Sequence, residues 1–295
     1  MGIRVLKGGM MTTVQDLGRT GYQSQGFSVS GVMDVRSFKI ANLLLDNPEN
    51  EAVLEFTLIG PTLEFTSETI ISITGGDFRP QINGKPAKMY TAIYMHRGDI
   101  LTFGGARTGT RGYIAFSSYL DVPVVMGSRS TNIKCQIGGY KGRKLEDEDY
   151  IAFRAKRRYL PYYLSRSLDL DEFDQEKITL DRMGCRLEGP FIAYKTTSDI
   201  ISDGIAFGSV QVPSHGKPII LLADRQTTGG YAKIATVVSV DIPKLVQRKT
   251  EQKVRFQAVS VEEAQKLLAD EMKELNDFRS QIYTPCKEVL DCRLV

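Results

Sequence analysis

Apolar and polar positions alternate over short distances along most of the chain, and that pattern predicts strands. Ile3-Arg4-Val5-Leu6 is the first. Six more follow: Ala52 to Leu58, Thr62 to Phe65, Ile70 to Thr74, Gln81 to Ile82, Ile93 to Met95 and Ile100 to Phe103. The turns between them are tight and carry Gly60-Pro61, Gly75-Gly76-Asp77, Asn83-Gly84 or Gly98-Asp99. Strands this short with turns this close suggest small barrels. Thr12 to Tyr22 interrupts the pattern and reads as too polar and glycine-rich for a core segment. Helical spacing occurs twice. Asp34 is an N-cap for a helix over 35–45, with Phe38, Ala41 and Leu45 on one face and Asn47-Pro48 as the stop. Ser260 and Glu263 form a capping-box pair for a helix over 260–276, lined by Ala264, Leu267, Leu268, Met272 and Leu275. From Asp277 onward the tail reads as loose or packed on another subunit.

The stretch from Phe207 to Val240 organises the second half. Apolar runs at 219–223 and 234–240 bracket the polar patch Asp224-Arg225-Gln226-Thr227-Thr228-Gly229-Gly230-Tyr231. Such a patch cannot build a core. It is either an ornate hairpin turn or a polar ligand or partner surface held between strands. The chain turns acidic at Glu146 to Asp149 and basic at Arg154 to Arg158, with Pro161 beyond, which marks a boundary near 155. A faint echo links Gly84-Lys85-Pro86 and Gly112-Tyr113 to Gly216-Lys217-Pro218 and Gly230-Tyr231. The expected fold is mainly β: tandem barrel-like domains over 1–155 and 156–295 with a few short helices.

Composition narrows the function classes. A net charge of +3 over 295 residues is no nucleic-acid footprint. No run of 18 apolar residues and no signal-peptide core are present, so the expectation is a cytoplasmic chain without membrane partners. The cysteines at 135, 185, 286 and 292 have no metal spacing and read as reduced thiols, and with only His96 and His215 no histidine-rich metal site is expected. There is no phosphate-binding Gly-x-x-x-x-Gly-Lys loop, no dinucleotide fingerprint and no nucleophile elbow near His215.

What remains is arginine and aspartate in glycine-rich loops. Arg19, Arg107, Arg111, Arg129, Arg182, Arg186 and Arg225 each lie beside glycine or small or polar residues, and guanidinium groups so placed grip carboxylates or phosphates. The alternative for each is a structural arginine tying a loop to backbone carbonyls. Candidate partners or bases are Asp16, Asp34, Asp77, Asp181, Asp203 and Asp224. The candidate catalytic set is Asp16, Arg182, Arg186, Asp224, Gln226 and Thr227. Arg182 or Arg186 would hold an anion, and Asp224 would orient an arginine or help activate water. Thr227, Thr228 and the Gly229 and Gly230 amides would form a donor nest for an oxyanion. Arg19, Ser30, Asp34 and Tyr231 complete the expected cleft, with Arg107, Arg111, Arg129, Asp203 and Arg225 as further binding candidates.

Several motifs in one order carry a resemblance. They are Thr12-Thr13-Val14-Gln15-Asp16-Leu17-Gly18-Arg19, Val29-Ser30-Gly31, Met33-Asp34, Leu54-Glu55 and Gly127-Ser128-Arg129-Ser130-Thr131. Asp181-Arg182-Met183-Gly184, Gln211-Val212-Pro213 and Ala223-Asp224-Arg225-Gln226-Thr227-Thr228-Gly229-Gly230-Tyr231 complete the series. The chain resembles the allophanate hydrolase subunit 2 or KipA-type family, also called biotin-dependent carboxyltransferases, which includes the C-subunit of bacterial 5-oxoprolinase. Asp203 departs from the family's usual glutamate, and Cys185 from its usual aromatic. The resemblance implies cyclophilin-like β-barrels and ATP-dependent opening of the 5-oxoproline lactam to glutamate. It implies two partners, a KipI-like subunit and a LamB/YcsF-type subunit, with ATP or Mg-ATP required at the level of the complex. Two alternatives accompany it: a regulatory protein antagonising a KipI-like inhibitor of a sporulation histidine kinase, and a carboxyltransferase component acting on a urea-like substrate.

Overall fold

A computed structural model describes residues 1–155, 166, 181–194, 199–249 and 253–283. It is mainly antiparallel β. The first half forms two stacked sheets. One comprises β1 (Gly2–Lys7), β4 (Thr62–Phe65), β6 (Pro80–Ile82), β7 (Lys85–Pro86), β9 (Ile100–Phe103) and β11 (Tyr150–Ala152), in the order β11-β1-β4-β9-β6-β7. The other comprises β2 (Met11–Gln15), β3 (Val53–Thr57), β5 (Thr69–Gly75), β8 (Ala92–Met95) and β10 (Arg111–Phe116), in the order β2-β3-β10-β5-β8. Between them lies an apolar core that includes Ile3, Val5, Leu54, Phe56, Leu63, Phe65, Ile73 and Ile114, all fully buried. The rings of Phe56 and Phe78 meet edge to face at 4.8 Å.

The second sheet is buried on both faces. Helix α1 (Val35–Leu44) lies on its outer side, where Phe38 and Ala41 meet Val53, Tyr113 and Ala115. Asp34 caps α1 as its sequence predicts, with Oδ1 accepting from Ser37 N at 2.9 Å.

Two expectations need correction. The strands of the first half close no cylinder among the described residues. The edge of β2 is covered by loops instead: Val14 O accepts from Thr131 N at 2.9 Å and Thr12 O from Leu145 N at 2.8 Å. Loop cover of this kind protects a sheet edge without a further strand. The segment from Thr12 is also core after all. Thr12, Thr13, Gln15 and Asp16 are buried, because β2 pairs with β3 and Gln15 Nε2 finds Thr13 Oγ1 at 3.0 Å and Thr131 O at 3.2 Å. Side chains that satisfy one another can occupy interior positions that polarity alone would assign to the surface.

The second half carries a four-stranded sheet and a two-stranded ribbon. The sheet comprises β12 (Gly184–Arg186), β14 (Ser209–Gln211), β15 (Ile219–Leu221) and β17 (Lys233–Thr236), in the order β12-β15-β14-β17. The ribbon pairs β13 (Asp199–Gly204) with β16 (Thr228–Tyr231). The core of this half joins Cys185, Val210, Ile220 and Leu222 to Ile242 and Val246 of α2 (Ile242–Val246), and it takes in Met33 from the first half. Helix α3 (Val261–Tyr283) begins with the predicted capping box, Ser260 N to Glu263 Oε2 at 2.8 Å and Glu263 N to Ser260 Oγ at 3.1 Å. It runs past the predicted stop. Leu275, Phe278 and Ile282 pack on Ile40 and Leu44 of α1, and Arg36 grips Glu274 through two bonds of 2.8 Å. The stretch from Asp277 to Tyr283 is therefore docked on this same chain. Among the described residues no helix is long and apolar enough to cross a membrane.

Candidate functional site

Residues 30–34 form a spine along the seam between the halves, and each makes a bond that fixes a different element. Ser30 N donates to Ala223 O at 3.1 Å, and Gly31 O accepts from Arg182 Nη2 at 2.6 Å. Val32 N donates to Asp16 O at 2.9 Å, Met33 N to Glu55 Oε2 at 2.8 Å, and Asp34 N to the Tyr113 hydroxyl at 2.9 Å. Two backbone peculiarities allow this path. Ser30 is left-handed at φ 57°, and Gly31 at φ 89° lies where an added Cβ would stand 2.9 Å from the Leu17 carbonyl.

Arg182 is the hub. Its Nη1 bonds Glu55, its Nε donates to Asp224 Oδ2 at 2.9 Å, and its side chain is 8% exposed. Burial alone would lower its pKa, but the Asp224 and Glu55 carboxylates outweigh that and hold it above its ordinary value. Glu55, on β3, also accepts from the Tyr113 hydroxyl at 2.9 Å and lies 3.5 Å from Arg111 Nη1. Arg111 is buried, which lowers its pKa while Glu55 opposes the loss, and its Nη1 donates to Thr57 Oγ1 at 2.8 Å. Burial, reinforced by Glu55, pushes the Tyr113 hydroxyl well above its usual range, so it acts as a neutral donor.

Gln247, just after α2, closes the other end of the seam. Its Oε1 accepts from Thr110 N at 3.1 Å and Arg111 N at 3.0 Å, and its Nε2 donates to Asp34 Oδ2 at 2.9 Å and Arg111 O at 3.0 Å. Asp34 and Gln247 then face a cavity of about 440 Å³ beside α1, α2 and α3. Its wall includes Tyr90, whose hydroxyl burial pushes up to about 12, with Asp34 adding to the rise.

A second polar cluster adjoins the spine at Ser30. Asp16 is saturated: its carboxylate accepts from Gly18 N at 2.8 Å, Ser128 Oγ and Ser130 Oγ at 2.6 Å each, and Arg129 N at 2.6 Å. Arg19, fully buried, bonds the Ser130 carbonyl through Nη2. Burial lowers its pKa, opposed by Asp16 and Asp224.

The structure thus gathers Asp16, Arg19, Ser30, Asp34, Arg111, Arg182 and Asp224 along one seam. Other candidates lie elsewhere. Arg186 is exposed and bonded to Asp181 at 3.2 Å, and exposed Asp203 is held by Lys233 at 2.8 Å. Lys233, first through its hydrogen bond, keeps the Asp203 carboxyl below its ordinary range. Arg107 stands at the surface, 3.8 Å from Asp77. Gln226, Thr228 and Tyr231 are exposed and Thr227 is partly buried. Thr228, Gly229, Gly230 and Tyr231 make up β16, paired with β13 rather than folded into a nest. Arg225 is buried and donates to Ile205 O at 3.0 Å and Leu222 O at 3.3 Å, the loop-tying role open to each arginine. Tyr113 and Gln247 are site members that sequence reasoning does not assign, and Glu55 enters there only within the Leu54-Glu55 motif, with no role. The available signal for Glu55 is a carboxylate inside the apolar run Val53-Leu54-Glu55-Phe56.

The two β halves match the fold of solved structures. The chain belongs to the family described as carboxyltransferase domain, subdomain A and B, whose model matches residues 25–179 and 176–258. It is similar to the 5-oxoprolinase C-subunit of Escherichia coli, 35% identical over 92% of this chain and 96% of that protein. It is also similar to the 5-oxoprolinase C-subunit of Haemophilus influenzae, 36% identical over 86% of this chain and 90% of that protein. Among solved structures, the Kluyveromyces lactis urea carboxylase superposes with TM-score 0.84 at 26% identity, covering 98% of this chain and 30% of that one.

Proposed function

We propose that this chain is the C-subunit of an ATP-dependent 5-oxoprolinase that opens the 5-oxoproline lactam to glutamate and works only within a cytoplasmic complex of several subunits. The observation that carries the reading is similarity over nearly the full length of both chains to two proteins named for that role. The partners are a KipI-like subunit and a LamB/YcsF-type subunit, and ATP is consumed at the level of the complex.

A lactam is a poor electrophile. Phosphoryl transfer from ATP to its carbonyl oxygen makes the carbon attackable by water. The ring C–N bond then breaks with a proton passing to nitrogen, and hydrolysis of the acyl phosphate releases glutamate and inorganic phosphate. Fixed donors along the seam would meet the negative charge that develops on oxygen. Arg182 is a positioning residue for those donors and not one of them. Its bonds to Glu55, Asp224 and Gly31 leave it holding the seam in shape rather than gripping substrate.

A second reading is a carboxyltransferase component for a urea-like substrate, favoured by the superposition on urea carboxylase. One assay separates the two. The three subunits are reconstituted and glutamate release from 5-oxoproline is followed with and without ATP. ATP-dependent release that vanishes when this chain is omitted is the expected outcome. Full activity without this chain would overturn the reading.

A further inference from the structure

A buried guanidinium ordinarily spends its five N–H donors on protein acceptors. Arg19 does not. It is 0% exposed, yet its Nε and Nη1 have no protein partner, and Nη2 bonds only the Ser130 carbonyl. A guanidinium has two edges on which neighbouring N–H groups point in parallel, and Nη2 serves both. One acceptor on Nη2 engages one edge at most, so a complete two-donor edge of Arg19 stays open. The nearby carboxylates do not fill it. The Asp16 oxygens are taken by Gly18, Ser128, Arg129 and Ser130, and the Asp224 oxygens accept from Arg182. By contrast each guanidinium nitrogen of Arg182 has an acceptor.

A second unpartnered polar group lies close to Arg19 along the backbone. The backbone of Arg19 donates to Val29 O at 2.8 Å, which sets it alongside Ser30. Ser30 is 5% exposed, is held at φ 57°, and its Oγ also lacks a partner. On the far side, Gly138 admits the guanidinium closely, since a Cβ there would stand 2.6 Å from Nη2. Cys135, three residues before Gly138 in the same loop, is exposed.

We infer that the open edge of Arg19, with the Ser30 hydroxyl, is the receptor for a small planar or tetrahedral oxyanion. Two-point pairing with an oxyanion satisfies a guanidinium edge, and the charge-assisted bonds are short and strong. The acceptor is a substrate carboxylate or a phosphoryl group. The carboxylate assignment rests on the proposed function, because 5-oxoproline carries one carboxylate that takes no part in the ring opening. The oxyanion site itself does not depend on it.

The test uses the reconstituted complex and Arg19→Gln, which keeps amide donors but loses the charge and the fork. If the site holds the substrate carboxylate, KM for 5-oxoproline rises about 10- to 100-fold while KM for ATP is unchanged. If it holds a phosphoryl group, the rise falls on ATP. Unchanged KM for both, in an active assembled complex, overturns the inference while leaving the proposed function standing. Ser30→Gly suits the left-handed backbone and removes the hydroxyl with its single carbon. It should shift the same KM by a smaller factor, so it keeps the question open to refutation should Arg19→Gln fail to fold. Should the complex show no 5-oxoprolinase activity, the wild-type chain is titrated with 5-oxoproline and with inorganic phosphate. Alkylation of Cys135 is followed by peptide mass alongside. Binding of either that slows Cys135 labelling supports the site, and no binding of either overturns it.

Discussion

The seam and the ribbon make an instructive pair. Both arise from glycine-rich stretches dense in charge, and by composition both are equally able to carry chemistry. Around Arg182 the charges are buried and every bond crosses between elements: Glu55 comes from β3, Gly31 from the spine and Asp224 from the loop after β15. In the β13–β16 ribbon the charges face water. Asp203, 69% exposed, pairs at 2.8 Å with Lys233 of β17, and Ile201 is 94% exposed. Local composition is the same kind in both places, so the difference lies in tertiary cover. A carboxylate that has lost its water needs a partner of opposite charge, whereas an exposed one loses little when its partner goes.

That contrast can be broken by substitution. Arg182→Ala strands Glu55 and Asp224 in the interior, and the expected loss is about 3–5 kcal/mol, read from urea denaturation of the isolated chain. A midpoint within error of wild type would show that the seam is not held this way. Gln247→Ala removes both the acceptor for two backbone amides and the donor to Asp34, with an expected cost of about 1–3 kcal/mol in the same experiment. Restoring an amide with Asn, one methylene shorter, should recover little of it. At the bottom of the scale, Lys233→Met frees exposed Asp203 and should leave the midpoint unchanged. A clear destabilisation there would mean the ribbon is tied down as firmly as the seam.

Much of the fold is legible in sequence because its signals are local. Asp34 caps α1 and Ser260 with Glu263 caps α3, and each pattern carries its own hydrogen bonds within four residues. The strand at Met11–Gln15 is hidden for the opposite reason. Its glutamine amide and the Val14 carbonyl are met by Thr131, more than a hundred positions away. The same limit governs the site. Asp181-Arg182 and Cys185-Arg186 offer two arginines four residues apart, and nothing nearby says which turns inward. Arg182 does so because Glu55 waits on β3, while Arg186 remains 69% exposed beside Asp181. The true end of α3 is masked by its acidic run, since Glu271 and Glu274 become partners of the first half only once Arg36 is in place.

The spine at 30–34 has a consequence for how the molecule comes apart. Its five residues bond to Asp16 at the end of β2, to β3, to β10 and to the second half, and Met33 is buried in the second half's core although its neighbours belong to the first. Melting either half therefore pulls apolar surface and ionic partners out of the other. Energetically the two halves form a single cooperative unit, not beads on a string. A relative carrying only one half would have to rebuild, from some other chain, the cover that this spine supplies in cis.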